Sequence, residues 1–491
     1  MTAAETLAEF ATGLTFERLP AAVVDTAKLR ILDTVGIALA STRQDFAPSV
    51  LGALRALGQR PPAATVIGTR LRAPAAVAAL ANGALAHGLD FDDTHAASIT
   101  HASACVVPAA LALGEARRLH GRDVLAAAVA GWETISRLGG AAPNAFHSRG
   151  FHATGVCGAF ATTLVAARAM GLAPAAAVNA LGVVGSMAAG IFEYLADGSW
   201  VKRLHPGWAA HSGLTAAELA AHGFTGPATI LEGRFGFFRT HVGDAWDAGR
   251  LTKGLGEEWE TLAISFKPYP CCHYNHAFID AALRLVREHA IRPEDVQRIE
   301  CRIAAGQVPI VCEPAAAKRV PRTAYDAQFS LPYSVAVALV DGAVGLESFG
   351  PDRIRDPRVL ALAERVMWTV DPASRFPEVF PGSVIVTLRN GTRLEAHEPL
   401  NRGCPENPMS AEDLRVKFRR NASEALSPRA VARLETLIGS VDTLADLDEV
   451  MRACRQVQVR RPVRLRLRTR RPSMPPSASS GACGRARSPS G

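Results

Sequence analysis

NGALAHGLDFDDTHAASITHASACVVP, residues 82–108, is the stretch from which the rest of the chain can be read. Asp90, Asp92, Asp93, Thr94, His95 and His101 fall within twelve residues there, between an Ala-rich helix ending near His87 and a second beginning near Ser103. Charged side chains are seldom buried without partners, and polar groups gathered on a loop between rigid helices form a candidate binding or catalytic site. Helix capping is the competing reading, with Asp92, Asp93 or Thr94 capping one helix and Ser103 the next.

Upstream, residues 3 to 138 read as successive helices. Pro20 opens PAAVVDTAKLRILDTVGIALAS, whose Val23, Ala27, Ile31, Val35, Ile37 and Leu39 supply an apolar face. A short β-like piece, ATVIGTR, is expected at 64–70, and helices at 74–87, 103–119 and 122–138. Downstream, FHATGVCGAFATTLVAARAMG and PAAAVNALGVVGSMAAG extend the helical part with small residues that let backbones approach closely. DGSWVKRLHPGWAAHSG, 197–213, gathers Lys202, Arg203, His205 and His211 around Pro206. It reads either as a solvated basic turn or as a carboxylate-binding turn before a helix beginning near Pro206.

After Ser265 the character changes. KPYPCCHYNHAFIDAALRLVREH is a Pro-punctuated loop and a helix, and VQRIECRIA (297–304 at its core) is strand-like. SLPYSVAVALVDG, 330–342, is another helix. VMWTVD, SVIVTLR and TRLEAHEP alternate as strands between 366 and 398, the last two joined at Asn390-Gly391. From Ser410 helices return, with Ser410 and Asp413 spaced as a capping box and further helices opening at Ser427 and Thr443. The expected organisation is a helical domain over 1–266, an α+β domain over 267–399, helices over 400–454 that complete the first domain, and an Arg/Pro/Ser-rich disordered tail over 455–491.

The totals narrow the class. The net charge of +8 is carried by the tail, since residues 455–491 hold ten Arg and no acid, leaving 8 − 10 = −2 for the rest. A nucleic-acid footprint would have to come from the tail alone, so nucleic-acid binding is not expected. No run of about 18 uninterrupted apolar residues occurs, so no membrane span is expected. The N-terminus is acidic and lacks an apolar signal region, and the nine cysteines show no C-x-x-C pair, which together point to free thiols and the cytoplasm.

Chemistry-bearing residues fall at five places: Asp90 to His101, His152, Lys202 to His211, Lys267, and Cys271 to His276. A cleft between the two domains would bring them together. Lysines would hold a substrate with two or three carboxylates while one imidazole moves a proton at a carbon beside a carboxylate. His152 alone reads as a cap or a core histidine, and His273 and His276 as surface residues one turn apart. A metal site from Asp92, Asp93, His95 and His101 lacks H-E-x-x-H or facial-triad spacing, and adjacent Cys271-Cys272 cannot ligate an iron–sulfur cluster. A Cys271 or Cys272 nucleophile with His276 is conceivable. No dinucleotide, Walker or G-x-S-x-G motif is present, and neither cofactor nor metal is expected.

DFDDTH at 90–95 with HAS at 101–103, FHATGVCGAF at 151–160, VKRLHPGWAAHSG at 201–213, GFTGPATILEG at 223–233, KPYPCCHYNHAFIDA at 267–281 and NPMSAEDLRVKF at 407–418 resemble the MmgE/PrpD family. That family includes 2-methylcitrate dehydratase and cis-aconitate decarboxylase, and the resemblance runs to about Cys454. It implies a mainly α fold, with an all-helical domain built from both ends of the chain and an inserted α+β lid. It also implies a homodimer and cofactor-free chemistry on small polycarboxylates. The family's pocket residues carry over to Asp90, Thr94, His101, His152, Lys202 and Lys267. Where the decarboxylase branch has a histidine in the lid motif this chain has Cys272. The Thr94-to-His101 spacing is one residue longer than in that branch, and Ala102 replaces its proline.

The resulting expectation is a hydro-lyase of the 2-methylcitrate dehydratase type. His101, His152, Lys202 and Asp90 would be catalytic, and Thr94, Lys267, Cys272 and His205 would contact substrate. A cis-aconitate-type decarboxylase, a dicarboxylate epimerase or isomerase, and a non-catalytic carboxylate-binding protein are the alternatives.

Overall fold

Pro20 starts a helix whose apolar residues recur on every side, α1 (Ala21–Ser41), and from Ile31 to Ser41 every residue of it is buried. Such a helix can only lie inside others. In the computed structural model, which describes residues 1–57 and 63–455, α1 packs against α2 (Ala75–Ala86), α3 (Ser103–Arg117) and α4 (Gly121–Gly140), and these in turn pack against α5 (Ala153–Met170) and α6 (Val201–Ala221). The fold is mainly helical, as expected. Small residues set its spacing. A Cβ on Gly83 of α2 would lie 2.5 Å from the Gly207 Cα of α6, so only glycine allows these two helices to cross so closely. α5 is long and apolar enough to cross a membrane, but 89% of its apolar window is packed inside the protein.

The second half builds a four-stranded sheet. A helix, α7 (His276–His289), packs against it, and α8 (Leu331–Asp341) packs on α7. The strands β3 (Val296–Ile303), β4 (Val366–Val370), β5 (Gly382–Leu388) and β6 (Arg393–Glu398) lie in the order β4-β3-β5-β6. β3 runs parallel to β4 with Ile299 opposite Val366, and antiparallel to β5 with Cys301 opposite Val384. The β5–β6 hairpin turns at Asn390-Gly391, where Gly391 takes φ +86°. Two further strands, β1 (Thr94–His95) and β2 (Ile264–Ser265), are two residues each and pair Thr94 with Ser265.

Two large hydrophobic cores result, beside a small cluster of Ile37, Ala40, Leu89 and Phe91. One runs through the helices from Ala4 to Cys454, and the other gathers Tyr269 through Ala396 together with Ile99 and Tyr194. The helix α9 (Ala411–Ala422) opens on the expected Ser410/Asp413 capping box and returns to pack against α1.

Three local expectations are corrected. The helix expected near Pro206 begins at Val201, because proline in the second turn removes one bond while Ala209, Ala210, Leu214 and Ala217 bury the helix beyond it. ATVIGTR yields only the pair Ala64–Thr65, matched to Arg72–Ala73. The last helix starts at Asp448, with Thr443 ending a separate 3-10 turn. The tail from residue 456 lies outside the described residues.

Candidate active site

Asp90 is the hub. It adopts φ +51°, a left-handed conformation that Asp tolerates better than most residues, and its carbonyl and carboxylate both face one cation. The Lys267 Nζ donates to Asp90 O at 3.0 Å and to its Oδ2 at 3.3 Å, while the Lys202 ammonium pairs with Oδ1. Burial pushes the Asp90 carboxyl up, but the two ammoniums outweigh it and hold the group well below the usual carboxylate range. The β1–β2 pairing carries the chain into Lys267, and the Gly83–Gly207 crossing brings the first turn of α6, with Lys202, onto the same loop.

Below the loop the remaining acids are structural. Asp93 accepts from the Arg30 guanidinium at 2.9 Å, from the Ser103 backbone at 3.0 Å and from the Ser103 hydroxyl. His95 is held between Ser98 at 2.8 Å and Glu260 at 3.0 Å. Lys417 of α9 donates to Phe91 O at 2.9 Å and to Asp33, whose carboxyl burial raises to about 6. The bracing alternative thus holds for Asp93 and His95, and no metal site forms from Asp92, Asp93, His95 and His101 as a set.

The imidazoles face one another. His101 Nδ1 donates to the Asp93 carbonyl at 2.8 Å, which fixes the tautomer and leaves its Nε2 lone pair free. Thr94 Oγ1 stands 3.2 Å from the same Nδ1. His152 occupies the N-cap position of α5 without capping it; its Nδ1 instead lies 3.0 Å from His205 Nδ1. His87, at the end of α2, bonds Asp92 through Nδ1 at 2.7 Å. Its ring centroid is 5.0 Å from His101 and 5.6 Å from His152. Burial, followed by the nearby cationic groups, holds all three imidazoles well below their ordinary pKa, so they are neutral near pH 7.

His101 and His152, though not His87, line a cavity of about 50 Å³ at the seam of the two cores. Asp90, Thr94, His101, His152 and Lys202 form its polar wall and Cys272 faces it; Phe192, Tyr194, Tyr274, Phe329 and Phe380 form an aromatic wall. Lys267 and His205 are both buried and stand behind this surface, one against Asp90 and the other against His152, so neither lines the cavity that they were expected to share with substrate. The thiol at Cys272 is pushed up to about 11, by burial first and then by Asp90, and His276 bonds the Cys271 carbonyl at 3.2 Å. No activated Cys–His pair forms there. His273 and His276 are buried and not on the surface, and His273 meets the cavity.

Residues 5–248 match the MmgE/PrpD N-terminal domain and residues 269–443 the MmgE/PrpD C-terminal domain. The chain belongs to the MmgE/PrpD family. Similar proteins include the cis-aconitate decarboxylase-like protein oryM of Aspergillus oryzae, 27% identical, with 91% of this chain and 95% of that protein covered. Cis-aconitate decarboxylases of Mus musculus and Homo sapiens are 30% and 31% identical, over 91% and 89% of this chain and 91% and 90% of theirs.

Sequence reasoning missed several residues of this MmgE/PrpD site. His87, which stands against His101 and His152, reads as the end of an Ala-rich helix, and nothing in the sequence singles out His147, which lines the pocket. A signal existed for His87, since His87 and Asp92 are five residues apart across a predicted helix end. For Phe192, Tyr194, Phe329 and Phe380 no local signal distinguishes pocket from core.

Proposed function

We propose that this chain is a lyase that acts on a small di- or tricarboxylate by proton transfer at a carbon next to a carboxylate. The observation that carries the reading is the His101 Nε2 lone pair, unpartnered on a buried wall beside the Lys202 ammonium. An ammonium that meets a substrate carboxylate stabilises the negative charge that develops when the adjacent carbon loses a proton or carbon dioxide. A neutral imidazole in reach of that carbon, His101, serves as base, and the imidazolium so formed returns the proton, directly or by way of His152. The side chains of Asp90 and Thr94 orient Lys202 and His101. The aromatic wall suits the carbon skeleton of the substrate.

Loss of water, the hydro-lyase reaction, needs a proton taken from carbon and another given to the leaving hydroxyl. Loss of carbon dioxide needs only a proton delivered to carbon. The relatives named as cis-aconitate decarboxylases favour the second reaction, and the acid–base pair suits both. The α+β part would act as a lid over the bound substrate. A homodimer is part of the proposal: Val201, Leu204, Trp208 and Leu219 of α6 are exposed apolar side chains that a second copy would cover.

The test is turnover of cis-aconitate, 2-methylcitrate, citrate and iminodisuccinate in deuterium oxide, scored by mass spectrometry. Product minus water marks the dehydratase, product minus carbon dioxide the decarboxylase, and exchange without loss an epimerase. Binding without turnover or exchange on all four, equal in wild type and a His101→Ala, Lys202→Ala double variant, would sink the lyase reading.

A further inference from the structure

His87, His101 and His152 have each used one ring nitrogen on an outer partner. His87 Nδ1 meets the Asp92 carboxylate at 2.7 Å, His101 Nδ1 the Asp93 carbonyl at 2.8 Å, and His152 Nδ1 the His205 ring at 3.0 Å. The nitrogens left over are the three Nε2 atoms. Those of His87 and His152 are buried with no hydrogen-bond partner, and that of His101 has none. One ring nitrogen from each residue lies within 4.8 Å of the other two. Where Nδ1 carries the proton, Nε2 presents a lone pair, so three clustered imidazoles each hold a lone pair that no donor meets. Buried polar atoms are rarely left so, and a converging set calls for a shared third body.

We propose that His87, His101 and His152 bind one divalent transition metal ion, zinc foremost, which enters in place of substrate and inhibits the enzyme. Three neutral imidazoles are a ligand set that zinc takes with a fourth position left open, here toward the cavity. Each imidazole already has the kind of outer partner that orients metal-bound histidine, a carboxylate, a carbonyl or a second polar group. Zinc–nitrogen bonds of about 2.0–2.1 Å would require the rings to close by roughly an ångström. The lysines do not forbid the ion, because the Asp90 and Asp92 carboxylates are spent against Lys202, Lys267 and His87 and leave the cluster close to neutral. Inhibition rests on the proposed role of His101 as base, since the ion would occupy the same lone pair. Binding does not depend on that role.

The full-length protein, stripped with EDTA, is titrated with zinc chloride by calorimetry and with cobalt(II) by visible absorption. The expected result is one ion per chain and a cobalt spectrum without a thiolate charge-transfer band. Asp92→Asn, which keeps all three imidazoles, weakens zinc by about 10- to 100-fold. His87→Ala and His152→Ala weaken it at least as much, and Cys272→Ser leaves it unchanged. Thermal unfolding of each metal-free variant verifies that it is folded, and Asp92→Asn carries the test if an alanine variant is not. No binding, unchanged affinity in the folded variants, or a thiolate band would each overturn the site. Zinc binding in a protein that turns over none of the carboxylates would leave the site standing and remove the proposed reaction.

Discussion

The Nδ1 atoms of His152 and His205 lie 3.0 Å apart, close enough for a hydrogen bond only if one of them carries the proton and the other does not. The pair therefore couples the tautomer of His152, on the cavity wall, to His205 behind it. A His205→Ala variant frees the His152 ring. Its kcat should fall about 10- to 100-fold, less than the 10²–10⁴ that losing a proton-transfer group costs. KM should change little, and the limb of the pH–rate profile assigned to His152 should move. His205→Asn, which keeps a hydrogen-bonding group near that position, should recover part of the loss. Equal pH profiles in wild type and His205→Ala would limit His205 to packing.

Asp90 neutralises two buried ammoniums, so its loss is a charge problem before it is a catalytic one. Asp90→Asn leaves Lys202 and Lys267 buried with one carboxylate fewer, and breaking a buried pair from one side costs about 3–5 kcal/mol. Urea denaturation at pH 7 should show a loss of that order. Lys267→Met should cost less, because Lys202 still pairs with Asp90. Should the two variants unfold at the same urea concentration as wild type, Asp90 would not be the hub described.

The buried histidines give stability a defined pH dependence. His87, His101 and His152 are held well below their ordinary value, and His147, His205 and His273 are brought down to about 3, in each case by burial first. In the unfolded chain these groups take protons near pH 6.5, whereas folded they do so only far lower. A depressed pKa contributes stability that is full above about pH 6.5 and declines as pH falls toward the folded values, by about 1.4 kcal/mol per unit for each histidine. Asp33, raised to about 6, acts the other way and favours the folded state at low pH, as do Asp92, Glu133, Asp280 and Glu398, which burial also raises; His276, His211 and His241, lowered by burial, add to the six histidines. The urea midpoint should therefore drop steeply between pH 7 and pH 5, and a flat profile there would mean that the imidazoles are already charged in the folded protein.

The polar wall was legible because chemistry leaves a local trace: Asp90, Thr94 and His101 crowd one loop, and Lys202 interrupts an otherwise small-residue helix. The apolar wall left none, since Phe192 and Phe329 have the composition of core residues and only the meeting of two cores makes them a pocket. His87 was hidden by its Ala-rich helix, and Arg30 and Lys417 by distance, because each braces the DFDDTH loop from more than fifty residues away in sequence. The helix containing Pro206 was placed too late because proline is a local stop signal, whereas the burial that overrides it is a tertiary effect. The strands were placed by alternation and the Asn390-Gly391 turn, and these local rules held in the sheet.

Cys272 faces the cavity, and its chemistry there is that of a neutral thiol. With the group pushed up to about 11, only about one thiol in a thousand is ionised at pH 8. Iodoacetamide should therefore label Cys272 far more slowly than a free thiol, and an intact-mass time course at pH 8 with peptide mapping checks this. A thiol so weakly acidic is a poor proton donor to a carbanion next to a carboxylate, which a protonated imidazole is not. Cys272→His should consequently raise the fraction of cis-aconitate turnover that ends in carbon dioxide release, with one solvent deuterium incorporated into the product for each carbon dioxide lost. If wild type already decarboxylates as fast as the variant, the proton comes from His152 or another wall residue and position 272 does not select the reaction.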